Sequence, residues 1–207
     1  MLKRRNVVIT GGFGGIAQAM QTYIINNSYL FNVYAPADYV LDVTDEQKIK
    51  KYFEEVTPHV LINCAAYIKV SSVIDMTLIE WEKQIKVNLT GAFLCSKYAL
   101  LAGCEKIINV GSTSCFEGRK EWAGYGASKV GLLSLTESLI AEGIDSQIIC
   151  FGRTYTPLRQ RLFPNETKND SMNAIRVAET ILEMINGVYG NAKIIFCEPA
   201  SSYILNK

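Results

Sequence analysis

Tyr125 and Lys129 are the residues whose types and spacing most directly suggest chemistry. They lie four residues apart in the segment GYGASKVG, so on a helix both side chains fall on the same face. A phenol has an ordinary pKa of about 10 and exchanges protons poorly near neutrality, whereas a neighbouring ammonium group favours its phenolate form. The pair is therefore predicted to tune the phenol for proton transfer. Ser112, at the end of a predicted strand, can donate a hydrogen bond to an oxygen of a bound substrate that gains negative charge during the reaction.

The elements that must position these side chains alternate along the chain. Short β-branched runs at residues 6–10, 32–35 and 39–43, and four later ones, are separated mostly by longer helical patterns, among them helices at about 79–102 and 125–142. Strands buried on both faces and joined by helices indicate a parallel sheet. The sequence predicts one α/β domain over residues 1–207, a single doubly wound parallel sheet of the Rossmann type with three layers, α/β/α.

Composition excludes several other classes of protein. The net charge of +1 gives no basic surface for nucleic acid, and no apolar run approaches the ~18 residues of a membrane span. The chain has six scattered cysteines, no CxxC pair and one histidine, so no metal site and no disulfide framework is expected. The absence of a secretory signal pattern favours a cytoplasmic location.

A glycine-rich segment, TGGFGGIA at residues 10–17, follows the first predicted strand and precedes the first predicted helix. In that position a glycine turn lets the backbone approach a pyrophosphate, while the helix N-terminus supplies N–H groups and positive potential. The context predicts nucleotide binding at the N-terminal end of the domain.

In this turn Gly11, Gly15 and Ala17 fit T-G-x-x-x-G-x-G, with alanine in the last glycine position, and the chain here resembles the short-chain dehydrogenase/reductase superfamily. Asn63 and Ala65 of NCAA match the family's N-N-A-G, and Ser112 precedes Tyr125 by the family's spacing. The first half also has some likeness to dTDP-4-dehydrorhamnose reductase, a sugar-nucleotide-modifying member. The resemblance implies the following catalytic residues: Asn88, Ser112, Tyr125 and Lys129, with Asn88 kinking its helix and holding a water that relays protons to Lys129.

The same resemblance implies a nicotinamide dinucleotide as cofactor, with Asp42 near the adenine and the FGRTYTP segment near the carboxamide. The positions expected to bind it are Gly11, Phe13, Gly14, Gly15, Ile16, Asp38, Asp42, Val43, Asn63, Ala65, Tyr125, Lys129, Thr154 and Thr156. Neither the glycine turn nor the segment after the second strand contains Lys or Arg, and Asp38 would oppose a 2′-phosphate. NAD is therefore favoured over NADP.

The substrate is expected to be a small molecule with a carbonyl or secondary alcohol, sugar-like or anionic, bound under a short lid at about 157–172. Arg119, Lys120, Arg159 and Arg161 could recognise an anionic group, or simply form a solvated surface. The resemblance also implies a homodimer or homotetramer through the helices at 79–102 and 125–142, with Leu94, Ala99, Leu132, Leu135 and Leu139 among their outer positions. Two other functions stay open: an inactive dinucleotide-binding regulatory or scaffold protein and, less consistent with the chain length, a dehydratase or epimerase.

Overall fold

The computed structural model describes residues 4–198 and 202–204, the last three by their backbone alone. Its main sheet has the strand order β2-β1-β3-β4-β5-β8-β9, in which the first six strands are parallel and β9 is antiparallel. The strands are β1 Arg5–Ile9, β2 Phe31–Tyr34, β3 Val60–Asn63, β4 Lys106–Val110, β5 Ser146–Phe151, β8 Ile194–Cys197 and β9 Ser202–Ile204, with β6 Thr154–Tyr155 and β7 Met172–Asn173 forming a separate parallel pair. This confirms the predicted doubly wound parallel sheet.

Helices cover both faces of the sheet, which gives the predicted three layers. The helices are α1 Gly15–Asn27, α2 Glu46–Glu55, α3 Leu78–Ile85, α4 Gly91–Leu101, α5 Ala123–Ala141, α6 Pro157–Leu162 and α7 Ala174–Ile185. Met20 of α1 and Ile181 of α7 share one core cluster with Ile9 and Ile149 of the sheet. On the opposite face, residues of α2, α4 and α5 pack against the sheet. The β-branched runs are thus buried from both sides, as a parallel sheet requires.

The strand predicted at residues 39–43 is wrong. This segment forms turns, yet Leu41 and Val43 are buried beside Phe53 of α2 and Ala99 of α4. Its apolar residues therefore anchor a loop rather than pair with a strand. Because fewer than ten residues separate β2 from this segment, no crossover helix fits between them, as a parallel neighbour would need.

The long helix predicted at 79–102 is interrupted where the kink was expected. A π-helical turn, Lys86–Thr90, lies between α3 and α4, and Asn88 is buried within it. Single π-turns of this kind change the direction in which helix side chains point. The predicted helix at 125–142 corresponds to α5.

Three of the five side chains predicted on the outer face of these helices point inward instead. Ala99, Leu132 and Leu139 are buried in the core, and Leu94 and Leu135 are half-buried against it. The large apolar side chains that face solvent on these helices include Leu78, Ile79, Phe93, Leu101 and Val130. The helical phase puts the leucines of α5 against the sheet, so the expected apolar surface exists but consists of different residues.

Two further observations concern membrane-spanning helices and clusters of metal-binding side chains. Within the described residues, no helix is both long and apolar enough to cross a membrane. The same part of the chain contains no cluster of His, Cys, Asp and Glu side chains that could hold a metal ion.

Candidate active site

A single cavity of about 680 Å³ lies at the carboxyl edge of the sheet and brings most of the predicted site residues together. Open α/β sheets bind ligands at this edge, where the chain reverses strand order. The predicted residues that line the cavity are Gly11, Phe13, Gly14, Gly15, Ile16, Asp38, Asp42, Val43, Ala65, Ser112, Tyr125, Lys129, Thr154 and Thr156. Asn63 and Asn88 are the two predicted catalytic or cofactor-binding residues that do not line it, and Lys120, a candidate for anion recognition, does not line it either.

The glycine turn between β1 and α1 forms one half of the cavity. Gly11 has a left-handed backbone with φ of +70°, and a Cβ there would lie 2.7 Å from the Cα of Ala65. At Gly12 a Cβ would lie 2.1 Å from the carbonyl oxygen of Ala35, which is a backbone atom and cannot swing aside. The turn therefore runs against neighbouring backbone at two successive positions, and this brings the first turn of α1 to the cavity.

The first turn of α1 offers backbone donors to the cavity. Its N-cap is Gly14, which has no side chain to cap the first N–H groups of the helix. Gly15 and Ile16 line the cavity. Uncapped N–H groups at a helix start attract a negatively charged group such as phosphate. The donor set and the backbone cradle fit the pyrophosphate of a dinucleotide.

Asp42, predicted near the adenine, accepts hydrogen bonds from the backbone N–H of Thr44 at 2.9 Å and from its hydroxyl at 2.8 Å. The backbone bond is the main cause that holds the pKa of this carboxyl below its usual range. Asp38 is exposed and lines the cavity together with Phe13, whose ring centroid lies 6.5 Å from that of Tyr39. This end of the cavity is therefore acidic and aromatic.

Lys129 is the most deeply buried charged group of the site. It is 2% exposed, and its Nζ donates a 2.7 Å hydrogen bond to the carbonyl oxygen of Val110 at the end of β4. The same Nζ is 5.6 Å from the centroid of the Tyr125 ring. Burial lowers the pKa of Lys129 below its ordinary value. The predicted juxtaposition of amine and phenol is present.

The predicted lowering of the Tyr125 pKa is not found in the chain by itself. Desolvation raises the pKa of this phenol to about 12, while its interaction with Ser112 and the charge of Arg119 act in the opposite direction. Lys129 does not offset the burial, because its ammonium group is held by a backbone carbonyl rather than by the phenol oxygen. The sequence predicted the spacing of this pair but not the dielectric surroundings that dominate it.

Ser112 and Asn88 support the pair in different ways. Ser112 follows β4, lines the cavity, and accepts a 3.1 Å hydrogen bond from the backbone N–H of Ser114. The Nδ2 of Asn88 donates to the carbonyl oxygen of Tyr67 at 2.8 Å and to the hydroxyl of Ser128 at 2.9 Å. Ser128 in turn donates to the carbonyl oxygen of Tyr125 at 2.7 Å. Asn88 thus ties α5 to the loop after β3 from behind the cavity.

Asn63 has a structural role in the described contacts rather than a place in the cavity wall. Its Nδ2 donates to Asn109 Oδ1 at 2.9 Å and to the Ser96 hydroxyl at 3.0 Å, both buried. The side chain therefore points under the sheet edge. Thr10 takes part in shaping the pocket instead, because its hydroxyl accepts from the N–H groups of Cys64 and Ala65, each at 3.0 Å.

The segment predicted to form a lid, residues 157–172, contains α6, and several residues of α6 line the cavity. Arg159 makes two hydrogen bonds to Glu166, at 2.6 and 2.7 Å, and this pairing lowers the pKa of the Glu166 carboxyl. Arg159 therefore has a carboxylate partner, which weakens its predicted part in binding an anion. The cavity residues that the sequence analysis did not assign to the site include Ile68, Lys83, Val87, Trp122, Leu158 and Leu162. They come from four separate segments, and no motif in the sequence marks them, although Leu158 and Leu162 lie within the segment predicted as a lid.

A doubly wound parallel sheet with a glycine turn at its carboxyl edge is a dinucleotide-binding fold of the Rossmann type. The model of the family described as short chain dehydrogenase matches residues 37–167. The chain belongs to this family.

The chain also resembles individual members. It is 39% identical over 107 residues to an uncharacterized oxidoreductase of Thermotoga maritima, a match covering 47% of this chain and 42% of that protein. It is 32% identical over 145 residues to a 3-oxoacyl-(acyl-carrier-protein) reductase of Aquifex aeolicus, covering 66% and 57%. These matches span only about half the length of each of the two relatives.

Solved structures share the whole fold. An aldohexose dehydrogenase of Thermoplasma acidophilum superposes with a TM-score of 0.82 at 18% identity, covering 100% of this chain and 98% of that one. A gluconate 5-dehydrogenase of Burkholderia cenocepacia, solved with NADP and tartrate, has a TM-score of 0.82 at 17% identity, covering 96% and 95%. At such low identity the likeness concerns the fold alone.

Proposed function

We propose that this protein is an NAD(P)-dependent oxidoreductase that transfers a hydride between nicotinamide and a carbonyl or secondary alcohol. The observation that carries the proposal is that Ser112, Tyr125 and Lys129 line the same cavity as the glycine turn. Membership of the short-chain dehydrogenase family supports it. A scaffold that only bound nucleotide would have no use for a buried ammonium group held 5.6 Å from a phenol ring.

Ser112 and Tyr125 would have different roles in the reaction. A bound nicotinamide supplies the hydride for reduction and accepts it in oxidation. Ser112 donates a hydrogen bond to the carbonyl oxygen, which stabilises the negative charge that develops there. Tyr125 gives its hydroxyl proton to that oxygen during reduction, and as phenolate it takes the proton back from the alcohol during oxidation.

Lys129 and Asn88 would act on Tyr125 rather than on the substrate carbon. The positive charge of Lys129 favours the phenolate, and that of an oxidised nicotinamide beside it adds to the same effect, against the burial that raises the pKa of Tyr125 to about 12. Asn88 positions α5 through Ser128. The water relay that the family resemblance implies for Asn88 stays a prediction.

We propose NAD as the preferred cofactor. Gly12 has no room for any side chain, since a Cβ there would lie 2.1 Å from the Ala35 carbonyl oxygen. A basic residue that recognises a 2′-phosphate cannot be placed at that position. Asp38 on the same side of the cavity would accept a hydrogen bond from a ribose hydroxyl and repel a phosphate.

A ligand screen tests the proposed function. Thermal unfolding would be followed with NAD, NADH, NADP and NADPH, and the nucleotide that binds best would then be assayed with a panel of oxo acids, acyl thioesters and sugars. We expect NADH at ~100 times its Kd to stabilise the fold by about 2.7 kcal/mol. A chain that binds no nucleotide, or binds one and turns over no carbonyl or alcohol, would contradict the proposal.

We also propose a homodimer or homotetramer formed through α3, α4 and α5. The support is the exposed apolar surface of these helices, where Ile79 is 77% and Leu101 75% exposed. Light scattering at several concentrations tests it, and a monomer at every concentration would contradict it. The cytoplasmic location expected from the sequence stays a prediction.

A further inference from the structure

Arg119 is the cavity-lining cation closest in sequence to Tyr125 that the proposed reaction does not use. It lies in the loop between Ser112 and α5, seven residues after the serine and six before the tyrosine, and it lines the same cavity as both. It is half-buried, in contrast to the exposed Lys120 beside it. A half-buried guanidinium on a cavity wall is a good receptor for a planar anion, because its fork of N–H donors matches a carboxylate.

The loop that carries Arg119 has a defined conformation. Its Nη2 donates a 2.8 Å hydrogen bond to the hydroxyl of Thr113, which fixes the direction of the guanidinium. Glu121 has a left-handed backbone with φ of +66°, uncommon for a residue other than glycine, and its carbonyl oxygen accepts a 3.0 Å bond from Ser71. The loop is thus built into one shape ahead of α5.

Aromatic rings connect the guanidinium to the phenol. The Arg119 guanidinium carbon lies 5.5 Å from the centroid of the Trp122 ring, and that ring meets the Tyr125 ring edge-on with centroids 5.4 Å apart. On its other side Trp122 stacks on Phe163 of the lid at 6.2 Å. A wall of this kind excludes water and strengthens the attraction between the guanidinium and an anion.

Two other arginines, Arg159 and Arg161, also line the cavity, and both differ from Arg119. Arg161 is exposed, whereas Arg119 is half-buried. Arg159 is paired through two hydrogen bonds with Glu166, whereas Arg119 has no carboxylate within 4.0 Å among residues 4–198. The acidic residues that line the cavity, Asp38 and Asp42, lie in the segment after β2. The positive charge of Arg119 has no carboxylate partner among the residues that the structure describes, so it is suited to bind a negative group on the ligand.

We propose that Arg119 binds a carboxylate of the substrate, so that the reacting carbonyl or alcohol belongs to an oxo acid or hydroxy acid. The identity of the reacting group rests on the proposed function, whereas the contact between Arg119 and a carboxylate does not. One guanidinium neutralises one carboxylate, which holds the substrate by a group other than its reacting carbon. Arg119 is thus a specificity-determining residue, and an uncharged ester of the same acid lacks its partner.

The test compares three oxo acids of increasing length, namely pyruvate, acetoacetate and 5-oxohexanoate, each with its methyl ester. Each is titrated by calorimetry into the protein saturated with the oxidised nucleotide that binds best, NAD or NADP. That complex has no hydride to give to a carbonyl, so binding is measured without turnover. We expect at least one acid to bind tighter than its ester by roughly 10- to 100-fold, the range of a charge-assisted hydrogen-bonded contact.

Three variants make the test specific. Arg119→Gln is expected to abolish the preference for the acid, Arg119→Lys to retain part of it, and the matched loss of charge Lys120→Gln to leave it unchanged. Equal binding of acid and ester, no binding of any acid, or a preference that survives Arg119→Gln would overturn the inference. A preference that depends on Arg119, without turnover of any acid when NADH or NADPH is supplied, would support the carboxylate contact but overturn the assignment of an oxo acid as the substrate. The proposed function would fail separately, if none of the thioesters and sugars of the wider panel were turned over either.

Discussion

The two halves of the cavity are built by opposite means. The half around β1 and α1 depends on side chains that are missing, since Gly11 and Gly12 run directly against the backbone of Ala65 and Ala35. The half around β4 and α5 depends on polar side chains that are present and buried, with Lys129 only 2% exposed. One half presents backbone atoms to the cavity, and the other presents polar side-chain groups.

This difference separates binding from chemistry. A dinucleotide's phosphates are recognised by backbone N–H groups and space, which a single added methyl group can remove. Proton transfer requires particular atoms on Tyr125 and its neighbours. A substitution such as Tyr125→Phe removes the reacting atom without changing the shape of the cavity. The two halves should therefore fail separately when each is mutated in its own way.

Gly12→Ala is the sharper way to break the glycine half. The new Cβ would lie 2.1 Å from the Ala35 carbonyl oxygen and 2.7 Å from that of Pro36, so the turn must shift. Overpacking of this kind destabilises the nucleotide-binding conformation of the turn by about 1–3 kcal/mol. We therefore expect NADH affinity to drop by about tenfold or more. Calorimetric titration with NADH measures it.

Gly118→Ala is the matched control for that experiment. Nothing lies within 4 Å of a Cβ built at Gly118, so the same chemical change should leave NADH affinity unaltered. If Gly12→Ala bound NADH as tightly as the unmodified chain, the glycine half would not owe its shape to close backbone contact.

Lys129→Met probes the polar half through stability rather than turnover. Burial lowers the pKa of Lys129 in the folded chain below its value in the unfolded chain, so the unfolded state binds the proton more tightly. The stability of the natural chain relative to the variant should therefore rise as pH increases from 7 towards 10.5 and level off above it. The rise amounts to about 1.4 kcal/mol for each unit by which the pKa is lowered.

Urea unfolding of both proteins at several pH values measures this difference. Lys120→Met, which removes one exposed positive charge from the same region, is the control for net charge. A stability difference between Lys129→Met and the natural chain that falls with increasing pH would show that the ammonium is not held in a desolvated place.

Much of the fold and of the site could be predicted from local patterns. The buried β-branched runs predicted the parallel sheet, and the spacing of Tyr125 and Lys129 on one helix predicted their proximity. The apolar residues Leu41 and Val43 make the segment 39–43 resemble a strand, but their burial comes from packing against α2 and α4. A short apolar run has the same pattern in a strand and in an anchored loop.

Other features depend on contacts that no short segment encodes. Asn63 matches a family position yet bonds to Ser96 and Asn109, which lie on two distant elements. The pairing of Arg159 with Glu166, and the lack of such a partner for Arg119, also arise only in the folded chain. The rise of the Tyr125 pKa to about 12 is a further case, because burial is a property of the whole site.

The central claim is that Tyr125 transfers the proton in a cavity whose nucleotide site is made by other residues. It is tested most directly by comparing Tyr125→Phe with the natural chain in two measurements, NADH affinity by calorimetry and steady-state reduction of the best carbonyl substrate. We predict that turnover falls by roughly 10²- to 10⁴-fold, the usual contribution of a general acid, while NADH affinity changes by less than about tenfold. Turnover that survives in Tyr125→Phe, or a loss of turnover explained by an equal loss of NADH binding, would contradict the account.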